Sequence, residues 1–368
     1  MEFIYLDNAA TTPISKEVID AMMPYFETQW FNPSSRYPAA LEVRKMIEES
    51  RAIIAKSINA EPEEIYFTSG GSEANCWALQ GFAKSHQHPV IITSDIEHHS
   101  ILECAKHMSY STVANDTDGK ILIPSLERNL YILQNRDVLV SIQMANNEIG
   151  TIQDIKLITD ICHKNGALVH TDAVQAFGQV PIDVKSLGID MMSISGHKVG
   201  APKGVGCLFI KNGVEIEPII YGTQENAKRG GTQNCPFFRA FSMSVLAIKQ
   251  QFHCNIRDHM IKELCETFDG HLNGHPTDRL QNNINITFPH IVSSEAAVYA
   301  LGENGIACSA GSACNEGNPK PSHVLRAIGL TDEMAQKTLR FTLPHEFTME
   351  EADVALDRIK KSLQLISR

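Results

Sequence analysis

No stretch of this sequence approaches the roughly 18 consecutive apolar residues that a membrane-spanning helix needs, so no membrane partner is expected. Basic residues are also in short supply: 32 Lys and Arg stand against 43 Asp and Glu, a formal net charge of −11. A phosphate backbone needs a basic surface, so direct nucleic-acid binding is not expected either. The nine cysteines include no CxxC pair. The start, "MEFIYLDNAATTP", has an acidic second residue and no basic n-region, so it does not read as a signal peptide. A cytoplasmic location with reduced thiols follows, and a disulfide framework is disfavoured. Walker A and GxGxxG patterns are both missing, which disfavours an NTPase and a Rossmann dehydrogenase. There is no internal repeat.

With 368 residues, 43% of them hydrophobic and 20% charged, the chain is a soluble globular protein with room for two domains. From about residue 40 to 210 strand-like and helix-like runs alternate. "EIYFTSG", "PVIITS", "VLVSIQMA", "ALVHTDA", "MMSISG" and "VGCLFI" read as short strands. "LEVRKMIEESRAIIAKSI" and "DIKLITDICHKNG" read as helices, as does "SEANCWALQGFAKS", with Ser72 as its N-cap. Such alternation predicts a mainly parallel sheet with helices on both faces and ligands beyond the strand carboxyl ends. After about residue 240 the pattern shifts towards a smaller α+β unit. The boundaries expected are 15–250 for a large domain, with 1–14 and 251–368 forming a small one.

Chemistry-bearing residues gather where those strands end. Gly70, Gly71 and Ser72 lie between a strand and a helix, where free N–H groups suit a phosphate, or simply make a tight turn. His98 and His99 follow "PVIITS"; one could stack on a planar ring, or both could be surface or capping histidines. Asn146, Asn147 and Glu148 follow "VLVSIQ", where asparagines can orient a ligand or bond their own backbone. Asp172 and Gln175 follow "LVHT". Ser195, His197 and Lys198 close the next strand, and a lysine among Gly196, Gly200 and Pro202 is poorly explained as a solvated charge. Singly these signals are weak. Together they match what pyridoxal 5'-phosphate needs: a lysine for its aldehyde, a carboxylate for its ring nitrogen and a phosphate cradle.

One stretch stays open on these grounds. "GIACSAGSACNEGNPKPSH" could be a metal clip using Cys308, Cys314 and His323, a disulfide, or a nucleophile on a loop. The metal reading has a thin ligand set, so no metal is expected.

The ordered series "YLDNAATTP", "FNPSS", "FTSGGSEAN", "EHHS", "NNEIGTIQDI", "HTDAVQAFGQVPID", "SGHKVGAPKGVG", "RGGTQN", "SAGSAC" and "LRFTL" resembles the cysteine desulfurases of the class V aminotransferase group. These are fold-type I pyridoxal-phosphate enzymes. The resemblance implies an α/β fold: a large domain with a mainly parallel, mixed sheet flanked by helices, plus a smaller α+β domain. It implies that Lys198 holds the cofactor covalently, that Asp172 pairs with the ring nitrogen and that His98 stacks on the ring and shuttles protons. Gln175 and Asn147 would contact the phenolic oxygen and substrate side. Gly71, Ser72, Ser195 and His197 would hold the phosphate, helped by Thr232 from a second subunit of a homodimer. Arg340 and Asn32 would bind the substrate carboxylate. Cys314, on a loop of about 308–321 that Gly311, Gly317 and Pro319 leave able to swing, would take sulfur from L-cysteine as a persulfide. A protein acceptor, either an iron–sulfur scaffold or a tRNA-thiolation enzyme, would receive it. Selenocysteine lyase and other class V lyase or aminotransferase activities are the alternatives. Departures at Tyr37, at Asn315 and Glu316 and at Pro344 and His345 bear on the choice of acceptor.

Overall fold

A computed structural model of the chain describes residues 3–248, 254–311 and 321–367. Its strands are β1 (Ile4–Tyr5), β2 (Ile65–Thr68), β3 (Pro89–Ser94), β4 (Tyr110–Val113), β5 (Asp137–Ser141), β6 (Leu168–Asp172) and β7 (Met191–Ser195). They continue with β8 (Gly206–Ile210), β9 (His271–Leu272), β10 (Asn283–Thr287), β11 (Ile306–Ala307), β12 (Ser309–Ala310) and β13 (Thr338–Thr342). Seven of them form one sheet in the order β2-β8-β7-β6-β5-β3-β4. Strands β7, β6, β5, β3 and β4 run parallel, whereas β8 is antiparallel to both of its neighbours. The sheet is therefore mixed and mainly parallel.

The alternation of side chains along each strand explains why both faces are covered. Ile92, Val140, Met192 and Phe209 enter one buried cluster, packed with the helices Pro38–Ser57 and Cys235–Ala247. Their immediate neighbours Ile91, Leu139, Met191 and Leu208 enter another, packed with the helices Gly71–Ser85 and His99–Ala105. A one-residue slip of any strand would exchange the two sets.

A four-stranded sheet of order β12-β13-β10-β9 carries a separate core, in which Leu6, Ile284, Ile286, Leu339 and Phe341 are wholly buried. The helices Cys254–Phe268, Ser294–Glu303 and Met349–Ile366 pack on it. The last of these opens on a capping box. Thr348 Oγ1 accepts from Glu351 N–H at 3.1 Å, and Thr348 N–H donates back to Glu351 Oε2 at 2.7 Å. Such a cap contributes about 1 kcal/mol.

The N-terminal segment joins the two sheets. Strand β1 runs parallel to β11, and Asp7 bridges to Thr342 at the end of β13. The chain then crosses to the end of β7, where Thr12 N–H donates to the His197 carbonyl at 3.0 Å. Among the described residues, no helix is long and apolar enough to cross a membrane.

One start differs from the sequence expectation. The helix expected to be capped by Ser72 begins at Gly71, with Gly70 at its N-cap. Ser72 lies in the first turn, and Glu73 reaches back to accept from Ser69 N–H at 2.8 Å. The free Ser72 hydroxyl lines a cavity instead.

Candidate active site

Beyond the carboxyl ends of β3, β5, β6 and β7 lies a cavity of about 230 Å³. Gly71, Ser72, His98, Asn147, Asp172, Gln175, Ser195, His197 and Lys198 all line it. Gly71 and Lys198, 127 positions apart in sequence, face one space.

Asp172, the last residue of β6, is buried. Its Oδ1 accepts from Val174 N–H at 2.9 Å and its Oδ2 from Asn75 Nδ2 at 2.6 Å. Both oxygens are thereby aimed, and the carboxylate is kept as a hydrogen-bond acceptor facing the cavity. Lys198 ends the 3-10 turn Gly196–Lys198 that follows β7. Its Nζ donates to the carbonyls of Ala9 at 2.5 Å and Ala10 at 2.8 Å. Burial, with Arg340 nearby, lowers its pKa to about 8, while Asp7 and Asp172 oppose the shift. The amine is neutral far more often than a surface lysine.

His98 caps the helix His99–Ala105, its Nδ1 accepting from Ser100 N–H at 3.1 Å. That bond leaves the proton of the neutral ring on Nε2. Desolvation holds its pKa below the ordinary value, opposed by Asp172 and reinforced by Lys198. Burial also takes His197 down to about 4, so it meets the cavity as a neutral ring.

The glycines here answer to space. A Cβ on Gly71 would stand 2.6 Å from Val174 Cγ2. Gly70 sits at φ +153°, a conformation L side chains rarely adopt. The open N-terminus of a 15-residue helix is thus brought to the cavity wall beside Ser72 and Ser195. This cradle, the amine of Lys198 and the carboxylate of Asp172 together suit a flat aldehyde bearing a phosphate.

Arg340 on β13 borders the cavity through the Asn147 carbonyl, to which its Nη1 donates at 3.0 Å. Its Nη2 donates to Asp7 Oδ1 at 2.9 Å and Ser309 Oγ at 3.0 Å. Its Nε is buried without a hydrogen-bond partner, and Arg340 itself does not line the cavity.

Two expected residues lie elsewhere. Asn32 is exposed, its Oδ1 accepting from Ser34 N–H at 2.9 Å in a local turn. Thr232 is exposed and does not line the cavity. Its segment is set by a strained turn: Glu225, Asn226 and Ala227 all have positive φ. Such residues cost about 1–3 kcal/mol each. Buried Glu225 ties the turn down, accepting from Arg51 Nη1 at 2.7 Å, Phe67 N–H at 3.0 Å and Gln233 Nε2 at 2.8 Å. Cys314 lies outside the described residues. Cys308 is buried in the second core, and burial pushes its thiol up to about 12. Asn146 makes turn bonds, its Oδ1 accepting from Glu148 N–H at 2.8 Å and Ile149 N–H at 2.9 Å.

Other groups were missed. Asn75 is wholly buried, lines the cavity and holds Asp172. It stands within the quoted "SGGSEAN", one turn beyond Ser72, and a polar residue on the inner face of a buried helix is a usable signal. Ser100, Ala9 and Gln143 also line the cavity. Behind it, Glu97 accepts from Ser94 Oγ at 2.6 Å and from Gln143 N–H at 2.9 Å, and burial raises its pKa to about 8.

Comparison with known proteins bears on the same arrangement. The family profile "Aminotransferase class-V" matches residues 4–354. The chain belongs to the class-V aminotransferase family. Within it, the chain is 42% identical over 375 residues to "Cysteine desulfurase IscS" of Methanosarcina thermophila, covering 98% of this chain and 92% of that one. A solved "NifS-like protein" superposes with a TM-score of 0.91 at 31% identity, covering 99% of this chain and all (100%) of that one. A structure titled "SspA in complex with cysteine" gives 0.83 at 31% identity, over 94% of this chain and 100% of that one. The fold-type I architecture expected from the sequence is the one found.

Proposed function

We propose that this class-V family member is a pyridoxal-phosphate-dependent cysteine desulfurase. It removes sulfur from L-cysteine, releases L-alanine and leaves a persulfide on Cys314. The observation that carries this is one cavity holding Lys198 and Asp172 at adjacent strand ends beside the Gly71 helix terminus, in a chain whose relatives are named cysteine desulfurases over their full length. The cofactor is pyridoxal 5'-phosphate. Lys198 would hold it, Asp172 would meet its ring nitrogen, and Gly71, Ser72, Ser195 and His197 would hold its phosphate. His98 would stack on the ring, and Gln175 and Asn147 would serve its phenolic side. When bound, this cofactor supplies an electron sink that eases loss of the Cα proton and makes the substrate sulfur electrophilic.

The chain's own groups do the rest. Arg340, together with Asn32, binds the substrate carboxylate. Lys198 Nζ accepts the Cα proton, a role suited to an amine with a pKa near neutrality. Cys314, as thiolate, attacks the sulfur. An S–S bond forms, the Cβ–S bond breaks and a proton returns to the carbon skeleton, so cysteine plus thiol becomes alanine plus persulfide without an external oxidant. His98 Nε2 is placed to move a proton at the substrate sulfur or at Cys314. The assembly is a cytoplasmic homodimer in which exposed Thr232 completes the partner's phosphate site. Residues 15–250 form the cofactor domain, and 1–14 with 251–368 the domain carrying Cys314. The sulfur acceptor is a protein, an iron–sulfur scaffold or a tRNA-thiolation enzyme.

The test is L-cysteine turnover by the loaded protein with both products measured. Alanine and reducible sulfur are expected in a one-to-one ratio; pyruvate and ammonia in place of alanine would contradict the reading.

Asn75→Ala removes a hydrogen bond to a buried carboxylate, worth about 1.5–3 kcal/mol. Pyridoxal-phosphate affinity should fall on the order of tenfold or more as Asp172 loses its orientation. Equilibrium dialysis of the apo-protein checks this, and unchanged affinity would remove Asn75 from the site.

A further inference from the structure

Just after Pro321 the chain is tied down at two successive residues. Ser322 Oγ donates to Glu148 Oε2 at 2.5 Å and accepts from Leu325 N–H at 3.2 Å, capping the helix His323–Ala327. The next side chain, His323, meets the Glu97 carbonyl through Nε2 at 2.8 Å. Glu148 is buried, and its own carbonyl accepts from Asn283 Nδ2 and Asn285 Nδ2, each at 3.1 Å. Glu97 is wholly buried and bonded to Ser94 and Gln143.

Each anchor also adjoins a cavity residue. Glu148 follows Asn147, whose carbonyl accepts from Arg340, and Glu97 precedes His98. A buried carboxylate is costly to keep unless it is bonded. The Glu148 carboxylate is bonded by the Ser322 hydroxyl.

We propose that Glu148 is a positioning residue for sulfur transfer: by holding Ser322, while the Glu97 carbonyl holds His323, it fixes the start of the helix His323–Ala327, which follows Cys314 in sequence. This rests on the reading of Cys314 as nucleophile. Glu148 neither gains nor loses a bond in the transfer; it acts through Ser322.

The experiment uses the full chain loaded with pyridoxal phosphate, in wild-type, E148A, E148Q and S322A forms. Persulfide on Cys314 is followed by rapid mixing with L-cysteine, alkylation and mass spectrometry, alongside KM, the cofactor absorbance band and the melting temperature. E148A and S322A should slow persulfide formation by about tenfold or more, with KM within about twofold and the band unchanged. E148Q retains an acceptor for the Ser322 hydroxyl and should recover most of the wild-type rate. The double variant E148A/S322A should be no slower than S322A, because the Glu148–Ser322 bond is lost only once. A wild-type persulfide rate in both E148A and S322A overturns the proposal. So does a joint collapse of rate, KM and absorbance band, which would give Glu148 a general structural role. Full sulfide release by Cys314→Ala would instead overturn the nucleophile reading itself, a result separable from any change at Glu148.

Discussion

Cys314→Ala should lower sulfur release from L-cysteine by on the order of a thousandfold, leaving cofactor binding and L-cysteine binding in place. The size follows from the lack of a substitute. None of the described cysteines lines the cavity. Cys308, the nearest in sequence, is buried in the core around the four-stranded sheet, and its thiol is pushed up to about 12. Cys162 and Cys207 are likewise buried, and desolvation raises both thiols. A thiolate is the attacking species, so these sulfurs are both misplaced and protonated at neutral pH. Cys308→Ala is the control and should keep turnover within about twofold, since a buried Cys behaves as a small hydrophobe. The measurement is alanine and sulfide production with a reductant present, plus persulfide mapping by mass spectrometry. A Cys314→Ala protein that releases sulfide at the wild-type rate would end the persulfide mechanism.

Legibility in the sequence was uneven for physical reasons. Strand-end residues could be read because a parallel sheet aligns its carboxyl ends, so Asp172 and Lys198 fall beside one cavity whatever the details of packing. The run "PVIITS" matches β3 residue for residue, because a fully buried strand is a short apolar run bounded by turn residues. Contacts across long separations were hidden. Asp7 and Arg340 lie 333 positions apart, and Ser322 and Glu148 lie 174 apart. No local pattern announces either pair. The Ser72 cap was misread because Ser is a frequent N-cap, whereas Gly70 takes that position and Ser72 faces the cavity. Asn75 owes its role to a bond with Asp172, 97 positions away. Asn32 and Thr232 lie outside the cavity of a single chain, so their proposed roles turn on the assembly rather than on anything a linear pattern encodes.

Lys198→Ala should abolish turnover, with a loss on the order of a thousandfold or more, and should remove the covalent link to pyridoxal phosphate. No neighbour can replace it. The cavity's other nitrogen groups are the imidazoles of His98 and His197 and side-chain amides, and Arg340 is held by Asp7, Ser309 and the Asn147 carbonyl. A guanidinium stays protonated and cannot act as an amine. Lys198→Arg should therefore be as inactive as Lys198→Ala, although it keeps the charge. Borohydride treatment followed by peptide mass spectrometry reads the link directly: a labelled Lys198 peptide in wild type and none in either variant. A retained label in Lys198→Ala would place the linkage elsewhere. The same amine sets a pH dependence. Only the neutral form of Nζ can take up the cofactor's aldehyde, and burial with nearby Arg340 lowers its pKa to about 8. Below that value the neutral fraction rises about tenfold per pH unit; above it the fraction levels off. Covalent loading of the apo-protein should follow the same curve, rising from pH 6 and flattening above about 8. An ordinary lysine would keep rising to about 10.4. A loading curve still climbing at pH 10 would show that Nζ is solvated like a surface amine, contrary to the bonds it makes with Ala9 and Ala10.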